Sequence, residues 1–217
     1  MKLIFLLITV LSYSTTGADV TAITEDGKRA ILKSDGTWEY QLDSNEVQSH
    51  GKFRNATWGM SADQVRKLEQ GEPVHDKDDV IGYSTSVVGL DCWAAYFFVD
   101  DKFVRGRYVI NEAHSNLNDF INDFENLKQA LSKKYGQPSF DNKNWRNDLY
   151  QDDFDKWGFA ISLGHLVYAA SWETEDSDIY LSLTGENYET SLLIEYASKA
   201  FSGLEQKTRE AKQLDDL

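Results

Sequence analysis

The chain contains only two prolines, and each follows a glycine by two positions: Gly71-Glu72-Pro73 and Gly136-Gln137-Pro138. Glycine accepts the left-handed conformation that closes a helix, and proline cannot continue one. Two helices must therefore stop at these points, and the residues upstream say where they start. Ser61 and Gln64 have capping-box spacing: the serine oxygen accepts the amide of the third helical residue, and the glutamine reaches back to the amide of Ser61. Met60 and Val65 stand at the two positions of a hydrophobic staple, and Asp63 favours the positive helix end. Trp58 and Gly59 lie just before the cap. The stretch from Phe53 to Gln70, which has the look of a signature, is accounted for as the start of one short helix. The second helix is expected over residues 118–134, where Phe120, Ile121, Phe124, Leu127 and Leu131 recur at helical spacing with polar residues between them.

Strand-like runs follow each stop. After Pro73 they cover residues 80–88, 93–99 and 103–110, with Asp100-Asp101-Lys102 as a hairpin turn. After Pro138 they cover 145–150, 159–163, 166–172, 179–184 and 189–196. Gly164-His165 is expected to make a two-residue turn and Gly185-Glu186-Asn187 another. The two helix stops are 65 residues apart, and Trp93 and Trp157, each taken to open a strand, are 64 apart. Fixed spacing of this kind suggests a duplicated unit; chance recurrence of helix stops would produce the same pattern.

Upstream, residues 19–42 read as a three-stranded meander over 20–24, 29–33 and 37–42, punctuated by Asp26-Gly27 and Asp35-Gly36, the strongest short hairpin signal. The fold class expected is α+β: an N-terminal β-meander followed by two helix-plus-antiparallel-sheet units. The segments are 19–42, a polar linker at 43–52, units at 53–115 and 116–197, and a charged helical tail at 198–217.

The first 18 residues have the form of a secretory signal peptide. Lys2 precedes an apolar run from Leu3 to Leu11, and Thr16 and Ala18 suit a cleavage site before Asp19. The run is far shorter than the ~20 residues that span a bilayer. Expected localisation is therefore periplasmic or secreted. The formal charge is −14 and becomes one unit more negative when Lys2 leaves with the leader. Such a surface repels phosphate backbones and anionic lipid head groups, so nucleic acid is not expected, and no stretch after the leader is long and apolar enough to span a membrane. Cys92 is the single cysteine, so no intramolecular disulfide can form, and stability must come from a core rich in the chain's 13% aromatic residues.

Residues 26–40, DGKRAILKSDGTWEY, resemble an element common near the N-terminus of bacterial exported proteins, in which DGTW closes a β-hairpin; that group is mostly without assigned function. WGMSADQV resembles the helix start of small periplasmic α+β domains of the outer-membrane assembly lipoprotein type. The tandem helix-plus-sheet order is similar to the β-lactamase-inhibitor fold. These resemblances imply an exported protein that binds other proteins and catalyses nothing, although the lipid-bearing cysteine of the assembly lipoproteins is missing.

Candidate chemistry is sparse. His50, His75, His114 and His165 share no metal-ligand spacing. His75-Asp76-Lys77-Asp78-Asp79 would hold a cation weakly. Asp152, Asp153 and Asp155 form the densest acidic cluster but lack the Gly bend and terminal Glu of a calcium loop. Cys92 reads as a buried filler rather than a nucleophile. Gly82-Tyr83-Ser84 lacks the closing glycine of a nucleophile elbow and lies in a strand. Trp145, Tyr150, Trp157, Tyr168 and Trp172 would line a sugar-binding face or, more ordinarily, the core. No catalytic, cofactor or metal residue is assigned. Three functions are carried forward: a non-catalytic protein-binding or envelope-associated module; a carboxylate-based hydrolase acting on a glycan; and an acidic inhibitor-like protein that docks on a basic partner through a contiguous aromatic patch.

Overall fold

Ser61 caps the first helix as its spacing requires. Its side chain accepts from the Gln64 amide at 3.3 Å, and the Gln64 side chain accepts from the Ser61 amide at 2.9 Å. The resulting helix, α1 (Ala62–Leu68), buries Val65 and leaves Met60 packed on the core. The computed structural model describes residues 20–23, 29–32, 38–41, 52–77 and 79–215. The leader, the two Asp-Gly turns, His50, Asp78 and residues 43–51 of the linker lie outside the described residues.

The chain divides into two units, residues 1–49 and 50–217. In the first, β1 (Val20–Ile23), β2 (Arg29–Leu32) and β3 (Trp38–Gln41) form an antiparallel sheet in that order. The second unit opens with β4 (Lys52–Phe53) paired to β5 (Ala56–Thr57), so Lys52 belongs to a hairpin rather than to a linker. After α1 come β6 (His75–Lys77), β7 (Val80–Val87), β8 (Leu90–Val99) and β9 (Lys102–Ile110). After α2 (Asp119–Tyr135) come β10 (Phe140–Trp145), α3 (Trp157–Ser162), β11 (Leu166–Glu173), β12 (Ser177–Glu186), β13 (Glu189–Ser198) and α4 (Ser202–Asp215).

All eight strands from β6 to β13 join one antiparallel sheet, ordered β10-β11-β12-β13-β9-β8-β7-β6. Each half is thus a helix followed by a four-strand meander, and the two meanders meet at their last strands, with Tyr108 opposite Ile194. The α+β architecture expected from sequence is the one found. Burial alternates along the strands, as the period-two pleat dictates. Cys92, Ala94, Tyr96 and Phe98 of β8 share the buried face with Leu192, Ile194 and Tyr196 of β13. The helices α2 and α3 cover this face over β11 and β12. The opposite face carries Arg105, Arg107 and Glu195. It is crossed by α4, whose Glu205 receives two bonds from Arg105, at 3.0 and 3.1 Å. The charged tail expected at 198–217 is therefore a strapped helix, and Ser198 belongs to β13.

Several second-half elements differ from expectation. Residues 145–150 are not a strand: β10 ends at Trp145 and turns follow. Residues 159–163 lie in and just after helix α3, so Trp157 opens a helix and Gly164-His165 follows one instead of turning a hairpin. Glycine is required where this helix meets the start of α2: a Cβ at Gly158 would stand 2.2 Å from the Leu117 carbonyl carbon. Asn118 secures the contact by accepting from the Gly158 amide at 2.6 Å and donating to the Phe154 carbonyl at 2.9 Å. The correspondence of Trp93 with Trp157 fails because Trp157 opens a helix, while the order of helix and four strands does recur.

Candidate binding surface

Between β10 and β11 the chain makes a series of turns, a 3-10 turn at Phe154–Lys156 and the short helix α3. This excursion links aromatic rings in two strings, with Trp145, Tyr150 and Trp157 half-buried against the core and Phe154, Phe159 and Tyr188 exposed. In the first, Trp157 meets Trp145 edge-on at 5.7 Å between centroids and Phe154 at 4.9 Å. In the second, Tyr150 stacks on His165 at 6.1 Å and meets Phe159 at 5.7 Å, and Phe159 meets Tyr188 at 6.2 Å. Tyr188 stands at the β12–β13 turn, held at φ 69°, and its amide donates to the Ser162 carbonyl at 3.0 Å. The Trp157 indole donates to the Gln151 carbonyl at 3.1 Å. Backbone carbonyls thus hold the Trp157 indole and the Tyr188 turn.

Four large apolar side chains of this region are exposed despite their size. Leu149 is 67% exposed, Phe154 58%, Phe159 37% and Tyr188 71%. Large apolar side chains grouped at a surface mark interaction sites more often than single ones do. The face of the sheet opposite α2 also shows Trp93, Phe140 and Tyr180. Those three sit on β8, β10 and β12, each separated by at least one strand, so at about 4.8 Å per strand they do not form a continuous patch.

Of the aromatic residues singled out in the sequence, Trp145, Tyr150 and Trp157 are half-buried, packed against the core and backing this surface. Tyr168 and Trp172 are core; the Trp172 indole donates to the Gly136 carbonyl at 2.9 Å. Asp152 and Asp155 are exposed beside the rings, and Asp153 pairs with Lys156 at 2.8 Å. His165 packs on Tyr150, far in the fold from His75, which is exposed on the edge strand β6. His114 donates to Asp123 at 2.6 Å and meets the Phe120 ring edge-on at 4.6 Å, tying the loop before α2 to that helix. Asp76 is gripped by Arg66 at 2.8 and 3.0 Å, so the acidic run at 75–79 is partly ion-paired. Among the described residues, no three His, Cys, Asp or Glu side chains converge on a metal-sized site. Burial pushes the Cys92 thiol up to about 11, which keeps it protonated and unreactive at neutral pH. Ser84 is an exposed residue of β7.

Two ionic clusters were not foreseen. Arg54 donates to both Glu69 oxygens at 3.0 and 3.1 Å and to Thr85 at 2.8 Å, and the Tyr96 hydroxyl donates to Glu69 as well. On the other face, Arg105 and Arg107 both donate to Glu195, and the Arg107 guanidinium lies 5.0 Å from the Phe97 ring centroid. Both clusters join residues distant in sequence, and no local spacing announces them.

No helix among the described residues is long and apolar enough to cross a membrane. No family model, curated protein or solved structure matches the chain.

Proposed function

We propose that this is an exported, non-catalytic protein-binding module of the bacterial envelope, and that the aromatic surface on residues 145–165 and Tyr188 is its docking site. The observation that carries this reading is the group of exposed large side chains, Leu149, Phe154, Phe159 and Tyr188, backed by half-buried rings at one end of the sheet. Aromatic side chains bury much area at little entropic cost, and such anchors dominate the energy of protein interfaces. Export is supported by Lys2 and the apolar run that follows it. A carboxylate-based hydrolase has less support. The buried carboxylates Glu69 and Asp123 are already bonded, to Arg54 and Tyr96 and to His114.

The test is comparative capture from envelope extract with the intact protein and a Phe154→Ser/Tyr188→Asn variant. Both positions are exposed, and asparagine suits the positive φ at 188. One specifically enriched protein that the variant fails to retain supports docking through this surface. Equal retention by both proteins refutes it.

A further inference from the structure

We infer that the aromatic surface takes cationic side chains, lysine or arginine, presented by a basic segment of the partner protein. The inference rests on the docking reading above and adds the partner's chemistry. Two of the rings already hold cations from the chain itself. Lys143 Nζ lies 4.0 Å from the Trp157 ring centroid, and Lys156 Nζ lies 5.9 Å from that of Tyr150. An aromatic face attracts a cation through its quadrupole, most strongly for tryptophan. Lys143 stands on β10, the edge strand of the sheet, and is exposed. It occupies the Trp157 face as a local stand-in that a partner's lysine or arginine would replace.

The surroundings have the matching sign. Asp152 and Asp155 flank Phe154, and Glu186 and Glu189 flank the Tyr188 turn. All four are exposed, and none makes a salt bridge among the described residues. Lys156, by contrast, is neutralised by Asp153. The patch thus combines apolar anchors, cation-receptive ring faces and exposed acids outside any salt bridge, within a chain of formal charge −14. An anionic partner would meet repulsion here at close range.

Titration of the intact protein with an oligolysine peptide, an oligoglutamate peptide and a neutral malto-oligosaccharide tests this by calorimetry. Oligolysine is expected to bind and oligoglutamate is not. Asp152→Asn/Asp155→Asn and Phe154→Ser should each weaken binding. Lys143→Met should strengthen it by about two- to fivefold, the worth of one exposed cation–π contact released for the ligand. Lys102→Met, on the β8–β9 hairpin in the other half of the sheet, changes net charge equally and should have a much smaller effect. Equal gains from the two lysine variants, with no loss on Phe154→Ser, would mean diffuse charge attraction and overturn the inference. Salt-insensitive binding of the oligosaccharide in place of oligolysine would overturn it in favour of a glycan. If the Phe154→Ser/Tyr188→Asn variant loses a captured partner while oligolysine gives no response, docking stands and the cationic assignment falls.

Discussion

Cys92 lies on the helix-covered side of β8, paired with Thr85 and Ile110, and its thiol is raised to about 11 by burial. It should stay unmodified by maleimide in the native protein at pH 7 and react within minutes in denaturant, as mass spectrometry would show. Burial acts on the tyrosines in the same direction. Tyr168 is pushed up to about 12, and Tyr96, Tyr108 and Tyr196 are also raised, chiefly by desolvation of the phenolate. The unfolded chain releases these protons near pH ~10, whereas the native protein holds them, so it binds more protons between those limits. Stability is therefore full below pH ~10 and falls as pH rises toward 12. Absorbance titration should show a delayed group among the 11 tyrosines, released together with unfolding. Gly106 is a further sensitive position. A Cβ there would stand 2.3 Å from Phe53 Cγ, and that ring is wedged among Tyr96, Tyr108 and Tyr196. Gly106→Ala should cost about 3 kcal/mol in urea unfolding, because the ring has nowhere to move.

At the scale of elements, the buried Arg54–Glu69 pair joins the β4–β5 hairpin to the end of α1. The Glu69 side chain is only 4% exposed. Glu69→Ala would leave Arg54 and the Tyr96 hydroxyl without their acceptor, at a cost of about 3 kcal/mol by chemical denaturation. The double change Arg54→Met/Glu69→Leu should recover most of that loss, since it leaves no unpaired charge. Elements with strong local signals were legible in the sequence: the Ser61 cap, the Gly136 stop, the apolar stripe of α2 and the Asp100-Asp101 turn, whose φ values of 49° and 55° suit a tight hairpin; the first helix instead ends at Leu68, with Glu69 already extended two residues before Gly71. Elements defined by their surroundings were not. The strand β10, Phe-Asp-Asn-Lys-Asn-Trp, reads as a polar loop because it is an edge strand with exposed side chains on both faces. Helix α3, Trp-Gly-Phe-Ala-Ile-Ser, is a short apolar run that fits either state, so its periodicity does not distinguish them. The candidate surface was half legible: Trp145, Tyr150 and Trp157, singled out as aromatic, are the half-buried backing, whereas the exposure of Leu149, Phe154, Phe159 and Tyr188 follows from an excursion and a turn that no local spacing predicts.

For the whole molecule, the described core falls within residues 50–217, running from Phe53 to Tyr196 without interruption. A chain that begins at His50 is expected to fold by itself and unfold in one transition, followed by the fluorescence of its five remaining tryptophans. Within that body, every strand pair but one is closed by a local hairpin or by the short excursion through α3. The exception is the junction of β9 with β13, which forms only after α2 and the entire second meander have been laid down. Closure of such a distant pair must overcome chain entropy before any contact repays it. Refolding should therefore pass through two separately formed half-sheets whose free edges are complementary to each other. At high local concentration those edges are the place where two copies would exchange halves, and the acidic charge that keeps the molecules apart would also guard against that error.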